Sequence, residues 1–293
     1  MKQVRPKKNL GQHFLVDLGI ARRIADTVDE PFNDLPVLEV GPGMGVMTQY
    51  LIEKPRQLKV VEIDRESVAY LKGTLFRGDE NTPDADISRA PEPPCPRAPE
   101  IIEGDFLRMD LAEVFGGRQF VLTGNYPYDI SSQIFFKMLD NKDLIPCCTG
   151  MIQHEVALRM AAQPGNKQYG ILSVLIQAWY DVEYLFTVEP SVFNPPPKVQ
   201  SAVIRMTRNQ TSDLGCDWPL FRRVVKTVFN QRRKMLRVSL RQLLPNPSAL
   251  VIPAGSTIDL TLRPEQLTIA QFVELTNLVA PLLQPSDSQS ACP

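Results

Sequence analysis

The chain has 293 residues, 43% of them hydrophobic, with 32 basic side chains against 33 acidic ones for a net charge of −1; this allows one large domain plus a smaller companion and excludes a protein that coats nucleic acid over its whole surface. The cysteines Cys95, Cys147, Cys148, Cys216 and Cys292 lack any C-x-x-C or Cys/His ligand spacing, so no metal site is expected and a reducing compartment is implied. The basic start is not followed by the apolar run of a signal peptide, and no stretch reaches the roughly 18 apolar residues of a membrane span, so a soluble cytoplasmic protein is expected, away from membranes.

Along the chain, short aliphatic or β-branched runs alternate with amphipathic stretches, the pattern of βαβ units around a mostly parallel sheet. Strands are predicted near 37–40, 58–63, 101–103, 120–123, 147–153, 182–188 and 201–207. They make an α/β fold with a doubly wound, seven-stranded Rossmann-like sheet. The Pro-rich loop between the last two strands is too short for a crossover helix, which makes them an antiparallel pair at the edge. Residues 78–99 interrupt the rhythm with prolines and acids among few apolar side chains, and read as a mobile surface insertion. From about Asp213 to about Ala280 helical periodicity takes over, with Thr268 as an N-cap before Ile269, Phe272, Leu275 and Val279. The expected domains are therefore an α/β domain over 1–210, a small helical domain over 213–282 and a disordered tail over 283–293.

The first strand runs into Glu39-Val40-Gly41-Pro42-Gly43-Met44-Gly45. Glycines here let the backbone turn sharply and lie against a ligand with no side chain between. A dinucleotide site would space them G-x-G-x-x-G, but Val46 takes the third position, which favours a ligand with no pyrophosphate to seat. Glu62 ends the second strand, 21 residues after Gly41, where a carboxylate can accept from both hydroxyls of a ribose. The third strand ends in Gly104-Asp105, placed to accept from an adenine amino group. Each feature alone is ordinary, but their order on consecutive strand tips suits an adenosine carrying an amino-acid tail, as in S-adenosyl-L-methionine.

After the fourth strand comes Asn125-Tyr126-Pro127-Tyr128. An adenine amino nitrogen is a poor nucleophile because its lone pair is delocalised into the ring. The Asn125 side-chain oxygen and a backbone carbonyl held outward by Pro127 can accept its two N–H bonds and aim a localised lone pair at a sulfonium methyl group. Tyr128 is expected to stack on a base that has left its helix. No general base of unusual pKa is needed, since the methylated nitrogen is acidic enough to lose a proton to water.

With these residues in place the chain resembles a known family, the small-subunit ribosomal RNA adenine dimethyltransferases to which the bacterial kasugamycin-sensitivity methyltransferase belongs. The likeness starts at Asn9-Leu10-Gly11-Gln12-His13-Phe14-Leu15 and runs through the segments above. It continues in Gln153 to Ala157, Tyr169 to Val174, Phe193 to Val199 with Ser201-Ala202-Val203, Phe229 to Lys234 and Arg263-Pro264-Glu265. It implies a Rossmann-like methyltransferase sheet, S-adenosyl-L-methionine as cofactor, and N6,N6-dimethylation of two adjacent adenosines in the 3′-terminal hairpin of 16S rRNA during late small-subunit assembly. The partner would be 16S rRNA in the small ribosomal subunit and the enzyme a monomer. By the same likeness His13 and Leu15 contact the cofactor, together with Gly41, Gly43, Glu62, Asp105 and Asn125, and Phe193 covers the second face of the target base. The chain departs from the family pattern in Tyr126, where an aliphatic residue is usual, in His154, often a lysine and here given no role, and in the Pro-rich insertion.

Between Arg222 and Arg241 stand Arg222, Arg223, Lys226, Arg232, Arg233, Lys234, Arg237 and Arg241 with no acid among them. A run without neutralising acids at helical spacing is expected to contact RNA phosphates, with Arg222, Arg223, Arg232, Arg233 and Lys234 as its leading members and Lys2, Arg5, Lys7 and Lys8 adding to the surface. Two other functions remain open at this point: a large-subunit rRNA adenine methyltransferase of the erythromycin-resistance type, and a non-catalytic RNA-binding assembly factor.

Overall fold

The computed structural model of the chain describes residues 7, 12–74, 99–244 and 246–283. The predicted insertion apart from Pro99, the predicted tail apart from Leu283, and Lys2, Arg5, Lys8 and Asn9 to Gly11 lie outside the described residues. The elements are β1 (Phe14–Leu15), α1 (Leu18–Asp26), β2 (Val37–Val40), α2 (Thr48–Ile52), β3 (Leu58–Glu62), α3 (Arg65–Thr74) and β4 (Glu100–Glu103). They continue with α4 (Leu111–Val114), β5 (Val121–Gly124), α5 (Ser131–Asp140), β6 (Cys147–Gln153), α6 (His154–Ala161), α7 (Ile171–Gln177), β7 (Tyr180–Val188), β8 (Phe193–Asn194) and β9 (Ser201–Arg208). Last come α8 (Trp218–Asn230), α9 (Leu236–Ser239) and α10 (Ile269–Leu283).

Seven strands form one sheet in the order β4-β3-β2-β5-β6-β9-β7. Each predicted strand is present, with ends displaced by no more than two residues. The strands from β4 to β6 run parallel, and β9 enters antiparallel beside β6, in register from Cys147↔Thr207 to Gln153↔Ser201. The last two large strands thus meet at the edge, β9 against β7. Parallel strands covered on both faces read as unbroken apolar runs, and every residue of β2 and β5 is buried. Ile24 of α1 packs into one apolar cluster with Val37, Val60, Val121, Cys147 and Val203. Asp17 caps α1, its Oδ1 accepting the Ile20 N–H at 2.9 Å.

The strand order reverses between β2 and β5, which leaves a crevice outside their carboxyl ends. The Gly-rich turn follows β2 and the Asn125 tetrapeptide follows β5, so the two motifs share that crevice. A two-residue ladder escapes prediction: β1 pairs antiparallel with β8, Leu15 opposite Phe193.

The chain divides into two compact units, residues 1–157 with 181–208 and residues 158–180 with 209–293. Expectation assigns 158–180 to the α/β domain; the structure clusters it with the helical unit instead. Aromatic packing explains this, since Tyr169 lies edge-on to Phe229 at 6.2 Å and Trp179 edge-on to Trp218 at 5.6 Å. In the helical unit Phe221, Val224, Val225, Val228 and Phe229 form the buried stripe of α8 at i, i+3, i+4 spacing. Asp217 caps that helix through the Leu220 N–H at 2.8 Å. Phe272, Leu275 and Val279 are buried on α10, and Phe272 stacks on Phe229 at 5.8 Å. Thr268 opens α10 as a reciprocal cap: its Oγ1 accepts the Gln271 N–H at 3.2 Å and its own N–H donates to Gln271 Oε1 at 2.9 Å.

Candidate active site

A cavity of about 270 Å³ lies at the crevice in the α/β unit. The β2 turn enters it with Gly41 in the left-handed region at φ +68°, a conformation that a side chain resists. A Cβ at Gly41 or Gly104 would meet nothing within 4 Å. Both glycines border the cavity, so a side chain at either would project into space that the backbone keeps open.

Glu62, 4% exposed, is gripped from both sides. Its Oε2 accepts the Gly43 N–H at 3.0 Å and its Oε1 the Asp64 N–H at 2.8 Å, leaving each oxygen one further lone pair for a ligand hydroxyl. Burial raises the Glu62 carboxyl above the usual carboxylate range, against the pull of these backbone donors. Glu39 is buried beside it and lines the same cavity. Burial pushes its carboxyl up to about 8, opposed by the Thr48 hydroxyl, which donates at 2.7 Å, and helped by the Glu62 charge. Asp105 lines the cavity while its Oδ1 accepts the Leu107 N–H at 2.9 Å, so the cofactor residue expected there also caps a turn. Lys7, expected on the RNA surface, is committed elsewhere: its Nζ reaches Asp64 at 2.6 Å and Glu66 at 3.1 Å. Burial by itself would raise Asp64, but the Lys7 and Ser67 bonds hold it below the ordinary value.

The tetrapeptide faces the same cavity with Asn125, Tyr126, Pro127 and Tyr128. Asn125 Nδ2 donates to the His13 carbonyl at 3.3 Å, so Oδ1 is the atom left to accept from a substrate amine. The Tyr126 N–H is bonded to Met151 O at 3.0 Å, which ties the tip of β5 to β6. Tyr128 shares a 2.5 Å hydrogen bond with Ser201 Oγ, and its ring stacks on His13 at 5.7 Å and 28°. His13 Nδ1 lies 2.8 Å from Pro195 O and therefore carries the proton in that bond. His13 and Leu15 both line the cavity, as do Gly41 and Gly43. Ile63 and Phe106 line it too. Ile63 is 53% exposed, and a large apolar side chain between two acids at a strand tip is the sequence feature that marks it.

Two expectations need correction. Phe193 is absent from the cavity wall: it is 3% exposed, sits opposite Leu15 in β8 and packs into the core cluster. The ring is packed in the core cluster beside the β1–β8 ladder and not turned to the cavity in this structure. Arg232 is no free phosphate ligand, because its guanidinium donates to the carbonyls of Asn166 and Lys167 at 3.3 and 2.5 Å and approaches Glu265 at 3.8 Å. It fastens the helical unit from within. Arg222 is half-buried, with its guanidinium 5.7 Å from the Trp218 ring. Arg223, Arg233, Lys234, Arg237 and Arg241 are exposed. His154 starts α6 with its ring edge-on to Tyr184 at 5.9 Å. Among the described residues no group of His, Cys, Asp and Glu is arranged to hold a metal ion, and no helix is long and apolar enough to cross a membrane.

The family model for ribosomal RNA adenine dimethylase matches residues 3–280. The chain belongs to the ribosomal RNA adenine dimethylase family. A ribosomal RNA small subunit methyltransferase A of Bacteroides fragilis is 61% identical over 97% of this chain and 96% of its own length. Among solved structures, a dimethyladenosine transferase from Plasmodium falciparum shares the fold at TM-score 0.69 and 23% identity, covering 90% of this chain and 96% of that one. The 23S rRNA methyltransferase ErmE matches at TM-score 0.63 and 25% identity, covering 92% of this chain and 100% of that one. The dimethylase family uses S-adenosylmethionine, and the cavity suits it. The openings at Gly41 and Gly104 leave room for a ligand against the backbone, and each Glu62 oxygen could still accept from a ribose hydroxyl.

Proposed function

We propose that this dimethylase methylates N6 of two adjacent adenosines in the 3′-terminal hairpin of 16S rRNA, twice each, during late assembly of the small ribosomal subunit. It acts in the cytoplasm, as a monomer. The observation that carries the reading is that Asn125 and Tyr128 open into the same cavity as Gly41, Glu62 and Asp105, so acceptor and donor residues face one space. S-adenosylmethionine, when bound, supplies an electrophilic methyl group on a positively charged sulfur. Gly41, Glu62 and Asp105 would hold its adenosine. Asn125 Oδ1 and the Tyr126 carbonyl accept the two N–H bonds of the target amine, which localises the nitrogen lone pair and points it at the methyl carbon. Tyr128 presents its ring to the extruded base, and the proton released from the methylated nitrogen goes to water. The 61% identity to a small-subunit methyltransferase supports that target more strongly than the 25% identity to ErmE supports the large subunit.

Exposed Arg223, Arg233, Lys234, Arg237 and Arg241 supply the basic face for RNA, which is read mainly by shape and by unpaired bases. The test is to incubate the protein and labelled S-adenosylmethionine with under-methylated small subunits, with large-subunit rRNA, or with no RNA. Label is expected in the small subunits. Label in large-subunit rRNA alone would overturn the choice of target, and label in neither RNA would support a non-catalytic assembly factor.

A further inference from the structure

Tyr126 stands second in the tetrapeptide at the tip of β5, and the structure shows what its large side chain does. It is wholly buried, although its neighbours Asn125 and Pro127 on either side are not. The ring lies edge-on to Phe135 of α5, with centroids 5.6 Å apart. Its hydroxyl donates to the Thr149 carbonyl at 2.9 Å and lies 3.3 Å from Cys148 Sγ, both on β6. Space for the ring is made by glycine: a Cβ at Gly150 would stand 2.8 Å from Tyr126 Cε2 and 2.2 Å from the Gly124 carbonyl oxygen. At Gly124 a Cβ would come within 3.3 Å of Tyr126 Cε1 and 2.5 Å of the Val40 carbonyl. The Tyr126 ring therefore lies against Gly124 of β5 and Gly150 of β6, and its hydroxyl is held by β6.

We propose that the Tyr126 side chain is a positioning residue for methyl transfer. Its hydroxyl on the Thr149 carbonyl and its ring over Gly150 lock the tip of β5, so that Asn125 and the Tyr126 carbonyl keep a fixed aim into the cavity. The backbone bond from the Tyr126 N–H to Met151 O fixes one point of the tip, and the side chain fixes a second point two residues back along β6. The side-chain anchor adds to the Met151 bond and to the Asn125 bond with the His13 carbonyl, and it is the one that resists rotation about β6. An aliphatic residue fills space but holds no second point. The Cys148 thiol beside the hydroxyl stays protonated, since burial raises it far above its usual range, so no charge competes for the bond.

This inference rests on the proposed chemistry of Asn125 and the Tyr126 carbonyl, and the experiment separates the two. Tyr126→Phe keeps the ring and removes the hydroxyl; Tyr126→Leu removes both anchor and ring. Turnover, the KM for RNA and the dissociation constant for S-adenosylmethionine are measured for each, with thermal melting as a check on folding, on whichever RNA the wild-type chain labels. Tyr126→Phe should lower kcat about tenfold, and Tyr126→Leu by about 100-fold, because small misplacements of reacting groups carry penalties of that order. Donor affinity and the KM for RNA should stay within about twofold. Wild-type kcat in Tyr126→Phe would overturn the inference while leaving the proposed function intact. A parallel loss of donor affinity, RNA affinity and melting temperature would also overturn it, since that is the signature of general loosening. A wild-type chain that labels no RNA would instead overturn the proposed function.

Discussion

Glu62→Gln is the substitution that reads the donor site most directly. In the native chain each carboxylate oxygen accepts one backbone N–H, from Gly43 at 3.0 Å and from Asp64 at 2.8 Å, in a position only 4% exposed. Glutamine keeps the shape but replaces one oxygen with an NH₂ group, which faces an N–H donor with another donor. One charge-assisted bond is lost and one backbone N–H is left buried and unpaired, at a cost of about 1.5 to 3 kcal/mol. Removing a charge that burial disfavours offsets part of this, so at roughly 2 to 4 °C per kcal/mol for a unit of this size melting should fall by at most about 12 °C. The ribose loses one acceptor as well, so affinity for S-adenosylmethionine, measured by calorimetric titration, should drop about 10- to 100-fold, with 1.4 kcal/mol per factor of ten. Burial raises the Glu62 carboxyl, so lowering the pH protonates the native residue, and the difference in donor affinity between the two proteins should narrow. Unchanged donor affinity together with lowered melting would refute the reasoning, leaving Glu62 as a clamp on the Gly43 and Asp64 amides alone.

Four further outcomes are expected. Glu39 titrates near 8 when folded and near 4.5 when unfolded, so its contribution to stability is full below about 4.5 and is lost as pH rises through about 8; this makes the native protein less stable at pH 9 than at pH 6 by on the order of a few kcal/mol. Glu39→Gln, which mimics the protonated form, should flatten that dependence in chemical denaturation, and an equal slope in both proteins would exclude Glu39 as its source. Charge reversal at exposed Arg233 and Lys234 should weaken RNA binding and flatten its salt slope without moving the melting temperature. Arg232→Ala should lower melting because it frees the Asn166 and Lys167 carbonyls. Phe193→Ala removes a buried core ring and should cost about 3 to 5 kcal/mol in denaturant unfolding; a stability loss under 1 kcal/mol with a large rise in the KM for RNA would restore its role at the base.

The sheet was legible because its strands are buried on both faces and so appear as apolar runs bounded by polar turns, as in Val37 to Val40 and Cys147 to Gln153. That Gly41, Glu62, Asp105 and Asn125 would share one cavity was legible for a related reason: a parallel sheet places strand tips side by side, so their order along the chain maps onto one crevice. Contacts between segments distant in sequence were not legible. The β1–β8 ladder is two residues long and has no periodicity to detect, yet Phe193 packs in the core beside it. Arg232 reads as one more charge in a basic run, because its partners are backbone carbonyls about 65 positions earlier, which carry no sequence signature. Residues 158–180 look continuous with the sheet domain, and only the pairing of Tyr169 with Phe229 and of Trp179 with Trp218 assigns them to the helices. Gly150 gives no hint in sequence that it makes room for Tyr126.

The central claim is that one cavity joins a methyl donor to an adenine amine held by Asn125. Its most direct measurement is nucleoside mass spectrometry of 16S rRNA from under-methylated small subunits after incubation with S-adenosylmethionine and either the native protein or Asn125→Ala. The native protein should convert two adjacent adenosines to N6,N6-dimethyladenosine, and Asn125→Ala should do so on the order of 100-fold more slowly with a far smaller change in donor affinity, the usual worth of a transition-state hydrogen bond. Equal rates for the two proteins would contradict the claim.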